Sequence, residues 1–289
     1  MLGMGLFTKK EKEPEELQFY MSAINNPVLN YKVYILSPME HLTFFLVTFI
    51  AGGLVGLIFY GGLFRVEGEA TFATFISNIV VFGGIGLLAS KIFVPVIRDS
   101  LKNKRLNKLK TQFRDFLDSL SNSLSGGMNV NDAIINACND LEAQYSSDAY
   151  IVVEVKEMIN GMQNNIALEE LLIDFGNRSG NDDIANFAIV FETAYRTGGN
   201  IKEIIRRTTD IISEKIMISE EIQTKITSNK MQMQVMNVIP IFLVLMLRSS
   251  SSEFDQAFGS IVGVICMTVG VVFFLAAYKM GQKMMDIKG

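Results

Sequence analysis

The chain has 289 residues, 49% of them hydrophobic, with no Trp, five Pro, sixteen Met and a formal net charge of −4. That charge is too small for a nucleic-acid binder, and no basic stretch is interleaved with aromatics in the way such binding requires. Two cysteines and a single histidine leave no zinc cluster and no two-histidine metal site.

Residues 1–40 are polar and mixed in charge ("KKEKEPEE") and lack the apolar core of a signal peptide, so no secretory cleavage is expected. We read them as a cytoplasmic N-terminal tail, flexible at first and then a short helix. Leu42 to Phe64 contains no charged residue. About 20 such residues cross a hydrocarbon core of ~30 Å at ~1.5 Å per residue, so this run reads as a transmembrane helix. His41 stands where the run begins and suits an interfacial anchor; with no Ser or Cys beside it, it is not a catalytic base. A second uncharged run, Ala70 to Ser90, continues past Lys91 into "IFVPVI", and Lys91 can snorkel to the interface. Residues 41–97 therefore hold transmembrane helices 1 and 2.

Residues 98–230 show helical spacing almost throughout. Phe113, Phe116, Leu117, Leu120 and Leu124 form one apolar stripe; Ile184, Phe187, Ala188, Phe191 and Tyr195 form another. "YIVVEV" is rich in β-branched residues, but its flanks predict a helix capped by Ser147 or Asp148. Cys138 and Cys266 read as small buried side chains and not as a disulfide.

Three stretches share one local pattern: "GMNVNDAI" from Gly127, "NIALEELL" from Asn165 and "GGNIKEII" from Gly198. Gly126, Gly127, Gly198 and Gly199 fit the left-handed end of a helix. Asn129 and Asn200 stand where an N-cap side chain accepts a backbone N–H, with Asp132 and Glu203 three residues later. Each stretch is thus a helix stop, a tight turn and a helix start. A phosphate loop would need Lys followed by Ser or Thr after its second glycine, and it would follow a strand. Here Ile201 and Lys202 follow Asn200, and Glu203 would repel a phosphate. Adjacent Asp182 and Asp183 read as helix-start caps, and "NRS" at Asn177 is a glycosylation sequon on the cytoplasmic side. No cofactor is implied.

The helix starting at Asn200 has no break before Pro240 and would run about 70 Å into the next apolar segment. Residues 231–280 supply transmembrane helices 3 and 4. Gly259 to Tyr278 is a strong span. Met231 to Leu247 is uncharged but weakened by Gln232, Gln234, Asn237 and Pro240. "RDSLKNKRLNKLKTQFR", after the second span, holds seven Lys/Arg against one Asp, and the tail 281–289 is also basic. The positive-inside rule puts both in the cytoplasm, which requires an even number of crossings between them. Four spans with both termini cytoplasmic follow; a re-entrant hairpin at 231–258 is the alternative.

"FLDSLSNSLSGGMNVNDAI", "FAIVFETAYRTGGNIKEIIRR", a long charged helix and "MNVIPIFLVLML" occur in this order. Together they resemble the type II secretion system F domain family, over roughly residues 40–285. With two spans on each side of a single domain copy, the chain is most similar to the TadB/TadC branch of tight-adherence (Flp) type IV pilus assembly, with TadB preferred. The outward loop that usually contains a proline is here "RSSSSEFDQ". The resemblance implies an all-α polytopic protein: four transmembrane helices and a cytoplasmic helical-bundle domain at 98–230. It also implies a non-enzymatic platform in the inner membrane, coupling a hexameric cytoplasmic ATPase to pilin insertion. Partners on this reading are the ATPase, pilin subunits, and a paralogous platform protein or a second copy. The competing class is a small transporter or channel, which would need buried charge at mid-membrane. Spans one and four carry none, and span two has only Lys91, near its end.

Overall fold

The computed structural model describes residues 17–22, 26–65 and 69–285. A two-stranded antiparallel hairpin, β1 (Phe19–Met21) and β2 (Pro27–Leu29), comes first. It is followed by α1 (Pro38–Tyr60), α2 (Phe72–Ser125), α3 (Val130–Gln144), α4 (Tyr150–Gln163) and α5 (Leu168–Ser179). Then come α6 (Asp182–Thr197), α7 (Ile201–Ser250), α8 (Ser252–Gly259) and α9 (Ile261–Met285). Apart from the hairpin, the elements among the described residues are all α-helices. The first part of the expected tail, residues 1–16, and the last residues, 286–289, lie outside the described residues.

Two compact units emerge, and each is described by itself. One combines the chain up to Ile35 with Leu101–Ser213; the other combines Leu36–Ser100 with the chain from Glu214.

The first unit is a helical bundle. The predicted stripe on α2 is buried at Phe113, Phe116, Leu117 and Leu120, and the α6 stripe at Ile184, Phe187, Ala188 and Phe191. Phe113 joins them, edge-on to Phe187 at 5.5 Å and 6.1 Å from Phe175 of α5. Burying one such ring stabilises the fold by about 1.5–3 kcal/mol. Helices α5 and α6 approach closely because Gly176 has no side chain: a Cβ there would lie 3.1 Å from the Ala185 backbone. Helix α4 starts from Ala149, without a side-chain cap, so neither Ser147 nor Asp148 takes the capping role expected of them. The burial of Ile151, Val152 and Val155 holds this helix despite its β-branched sequence. The described residues of 17–35 do not form the short helix expected of a tail. They form the hairpin and bury Val28, Asn30 and Tyr31 in the same unit.

In the second unit, three helices among the described residues are long and apolar enough to cross a membrane: Pro38–Tyr60, Phe72–Ser125 and Ile261–Gly281. Helix α1 opens with Pro38 at its first position, and Glu40 accepts a hydrogen bond from the Ser37 N–H at 2.9 Å. His41 lies in that exposed first turn. Helices α1 and α2 pack edge-on through Phe49 and Phe82, 5.4 Å apart, with Gly53 and Gly86 against those rings. The segment expected to be span 3 differs from the expectation. Its apolar part is Val238–Ser250, inside α7, and would be only about 20 Å long. Gln232, Gln234 and Asn237 shorten it. Helix α7 continues through Pro240 without interruption. Cys138 is buried as read, but Cys266 is exposed, because α9 presents its apolar side chains outward.

Candidate functional site

Each shared turn pattern folds from its own residues. At the end of α2 the chain reverses at Gly127, whose φ is 91°, and the Met128 N–H bonds back to the Ser123 carbonyl at 3.3 Å. Asn129 then caps α3: its Oδ1 accepts the Asp132 N–H at 2.9 Å, and its Nδ2 donates to the Asp132 carboxylate at 2.6 Å. Helix α6 ends at Gly198, φ 74°, with the Gly199 N–H bonded to the Ala194 carbonyl at 2.7 Å. Asn200 caps α7 by accepting the Glu203 N–H at 3.2 Å. Asn165 takes the left-handed conformation, φ 61°, between α4 and α5. A fourth turn escaped the pattern. Gly180 ends α5 with φ 63°, and Asn181, not Asp182 or Asp183, caps α6 by accepting the Asp183 N–H at 2.9 Å. Asp183 instead pairs with Lys110 of α2 at 3.2 Å.

The two glycine pairs therefore divide their work. Gly127 and Gly198 supply the positive φ that L-residues resist, while Gly126 and Gly199 do not. Gly198→Ala is expected to lower the bundle's stability by about 1–2 kcal/mol, with Gly126→Ala costing less. Thermal melting of the two variants in detergent checks this ordering.

The structure brings one end of α6 to the α2–α3 turn. Tyr195, one turn before Gly198, lines an open cleft of about 500 Å³ together with Leu124, Met128, Asn129, Val130, Asn131 and Asp132. Tyr195 therefore ends its stripe exposed, not buried. Pro240 lies in the other unit. Nothing at the α6–α7 turn suits a phosphate. Glu203 occupies the first turn of α7 and bonds Arg207 at 2.8 Å and Arg206 at 3.2 Å. The Arg207 hydrogen bond and the neighbouring Arg206 charge hold its carboxyl below the usual range. Among the described residues no group of three or more His, Cys, Asp or Glu side chains stands close enough to hold a metal ion.

A polar cluster not anticipated from the sequence lies inside the first unit. Glu154 of α4 and Arg178 of α5 are both buried and meet fork to fork, Nη1 to Oε1 at 3.1 Å and Nη2 to Oε2 at 2.9 Å. The Tyr31 hydroxyl donates to Glu154 at 3.0 Å. Arg178 also donates to the Leu29 carbonyl at 2.9 Å and to Asp174 at 2.8 Å, and the Tyr31 N–H donates to the Arg178 carbonyl at 2.9 Å. Burial pushes the Glu154 carboxyl above the ordinary range, against the pull of Arg178 and the Tyr31 hydroxyl. Every partner of this carboxylate is a donor, as an ionised acid requires. Further along, Glu157 accepts from Ser22 at 2.7 Å and Asn26 at 3.2 Å. The hairpin is therefore strapped across α4 and α5. One signal was present in the sequence: Glu154 falls on the apolar stripe Ile151, Val155 and Met158, where only a paired charge can sit.

In the second unit, Arg248 near the end of α7 reaches the end of α1. Its guanidinium donates to the Gly61 carbonyl at 2.9 Å and the Leu57 carbonyl at 3.3 Å, two carbonyls at the C-terminus of α1. Asp255 of α8 sits beside it and pairs with Arg65. The Tyr60 hydroxyl meets Thr268 of α9 at 3.2 Å. Caps, ion pairs and packed rings of this kind fix helix ends in place.

Residues 116–247 match the family model for type II secretion system (T2SS), protein F, from the middle of α2 into the apolar part of α7. No curated protein and no solved structure matches the chain.

Proposed function

We propose, from the premise that residues 116–247 are a type II secretion system protein F domain, that this chain is a platform protein of a type II secretion or type IV pilus machine. The domain lies in a membrane protein, since helices long and apolar enough to cross a bilayer flank it. The observation that carries the reading is this domain among apolar helices. Within that class we assign the chain to the tight-adherence (Flp) branch, where one domain copy is preceded by two spans. It acts in the inner membrane, without catalysis of its own. It couples a cytoplasmic ring ATPase to the insertion of pilin subunits, in an assembly with itself or a paralogous platform protein. Deleting the chain from its host should abolish surface pili or secretion, and the restored protein should co-purify with the machine's ATPase. Normal assembly without the chain would overturn the reading.

The same proposal includes four crossings with both termini cytoplasmic. The Lys/Arg excess after span 2 supports it. So does Arg248: its bonds to the last carbonyls of α1 suit a third span running in the same direction as the first. A helix whose apolar part is short can be accommodated by local thinning and by flanking polar residues. In a background lacking Cys138 and Cys266, a membrane-impermeant maleimide should label Gly68→Cys and Ser252→Cys from outside. It should not reach Gln163→Cys until the membrane is opened. External labelling of residue 163, or protection of residue 252, would refute this topology.

A further inference from the structure

We propose that the basic stretch of α2 where the first unit begins is a contact for anionic phospholipid headgroups. Lys102, Lys104, Arg105 and Lys108 occupy two successive turns of this helix. Lys102 and Arg105 share one flank, and Lys104 and Lys108 another. Lys32 of the strap joins them, because its stem and Leu106 of α2 both come within 3.2 Å of a Cβ built on Gly180.

These cations are left available for an outside partner. Lys102 and Lys104 make no ion pair among the described residues, and Lys32, Lys104 and Lys108 are exposed. Two of the others lie over aromatic rings, Arg105 at 4.2 Å over Tyr34 and Lys108 at 5.6 Å over Tyr150. The rings orient the charges without neutralising them. The Arg105 Nε is buried with no hydrogen-bond partner, while its Nη1 reaches only the Val33 carbonyl at 3.4 Å. Asp148 lies near Lys108, Asp99 stands one turn before Lys102 but pairs with Arg98 at 3.2 Å, and Asp183 is taken by Lys110.

Position along the helix selects the partner. The apolar run of α2 ends at Ile97, so along the axis Lys102 follows about 7 Å further, Lys104 and Arg105 about 10–12 Å and Lys108 about 16 Å. The headgroup layer takes up roughly the first 5–7 Å, which leaves Lys102, Lys104 and Arg105 within the ~8 Å Debye length of a charged bilayer surface and Lys108 just beyond it. A cluster of four to eight cations there attracts anionic lipid, roughly fivefold per charge. The inference rests on α2 crossing a bilayer and not on the assembly role.

The test uses the purified full-length chain in phosphatidylcholine nanodiscs carrying a trace of spin-labelled phosphatidylglycerol or spin-labelled phosphatidylcholine. The fraction of label immobilised by the protein is read by electron paramagnetic resonance. Phosphatidylglycerol should be preferred at least about fivefold, and raising the salt tenfold should erase most of the preference. The triple variant Lys32→Gln, Lys102→Gln, Lys104→Gln should lose it, while arginine at the same three positions should keep it. Undiminished preference in the glutamine variant overturns the proposal, as does absence of preference in the native chain. Displacement of the lipid by inorganic phosphate, at constant ionic strength, would assign the site to free phosphate and also overturn it. No assembly partner enters the measurement, so its failure leaves the platform reading standing.

Discussion

If the chain works as the proposed platform, inserting Gly-Gly-Ser-Gly near Thr227 is expected to abolish pilus assembly or secretion while leaving protein level, membrane insertion and co-purification with the proposed ATPase unchanged. The motivating observation is α7, an unbroken helix from Ile201 to Ser250 and 50 residues long. At ~1.5 Å per residue that is about 75 Å. Its first turns belong to the bundle, where Ile205 and Ile212 are buried. Its last turn belongs to the other unit, where Arg248 bonds the end of α1. A continuous helix displaced at one end carries the displacement to the other, and a Gly/Ser insert converts it to a flexible coil. Pro240 already removes one backbone hydrogen bond from the helix, so the segment after it can tilt without breaking the rod. Normal assembly by the insertion mutant, at normal protein levels, would show that α7 does not transmit motion.

The second large effect concerns the strap. Glu154→Ala should destabilise the bundle by about 3–5 kcal/mol, because it leaves the buried Arg178 guanidinium without its carboxylate. Arg178→Met should cost a similar amount for the mirror reason. Glu154→Gln should cost less, since the amide oxygen still accepts one bond. The combination Glu154→Met, Arg178→Met and Tyr31→Phe should recover much of the loss, as it removes the whole polar cluster at once. The readout is the thermal midpoint of the full chain in detergent, with limited proteolysis between Leu29 and Ile35 reporting release of the strap. If Glu154→Ala melts like the native chain and the strap stays protected, the cluster does not hold the hairpin.

Sequence patterning shows the local features of this protein and misses the distant ones. The stripes at Phe113–Leu120 and Ile184–Phe191 are set by spacing within one helix, so they can be read directly. The same is true of the caps at Asn129 and Asn200, where donor and acceptor lie three residues apart. The hairpin is different. Three-residue strands carry almost no alternation, and "FYM" and "PVL" acquire their conformation from pairing with each other and from the seat below them. That seat depends on Tyr31 meeting Glu154 at a separation of 123 residues, which no window along the chain contains. Arg248 is a similar case, 187 residues from the carbonyl it caps. Asn181 is obscured for another reason. Two acids directly after it offered the same capping chemistry, and only the fold shows Asp183 committed to Lys110.

The strap also constrains biogenesis. Tyr31 leaves the ribosome before either of the first two apolar helices, yet its partners Glu154 and Arg178 are made only after both. The strap therefore waits without a seat throughout the insertion of α1 and α2. It can close only if the N-terminal segment and the α4–α5 pair end up on the same face of the membrane. A chain in which one of these two helices fails to cross leaves the two segments on opposite faces and cannot make this closure, and it keeps a buried acid and a guanidinium without the tyrosine and the backbone carbonyl that complete them. Docking of Tyr31 thus requires that both helices cross or that neither does: the bundle's last contact depends on the pairing of the two insertions and not on either one alone.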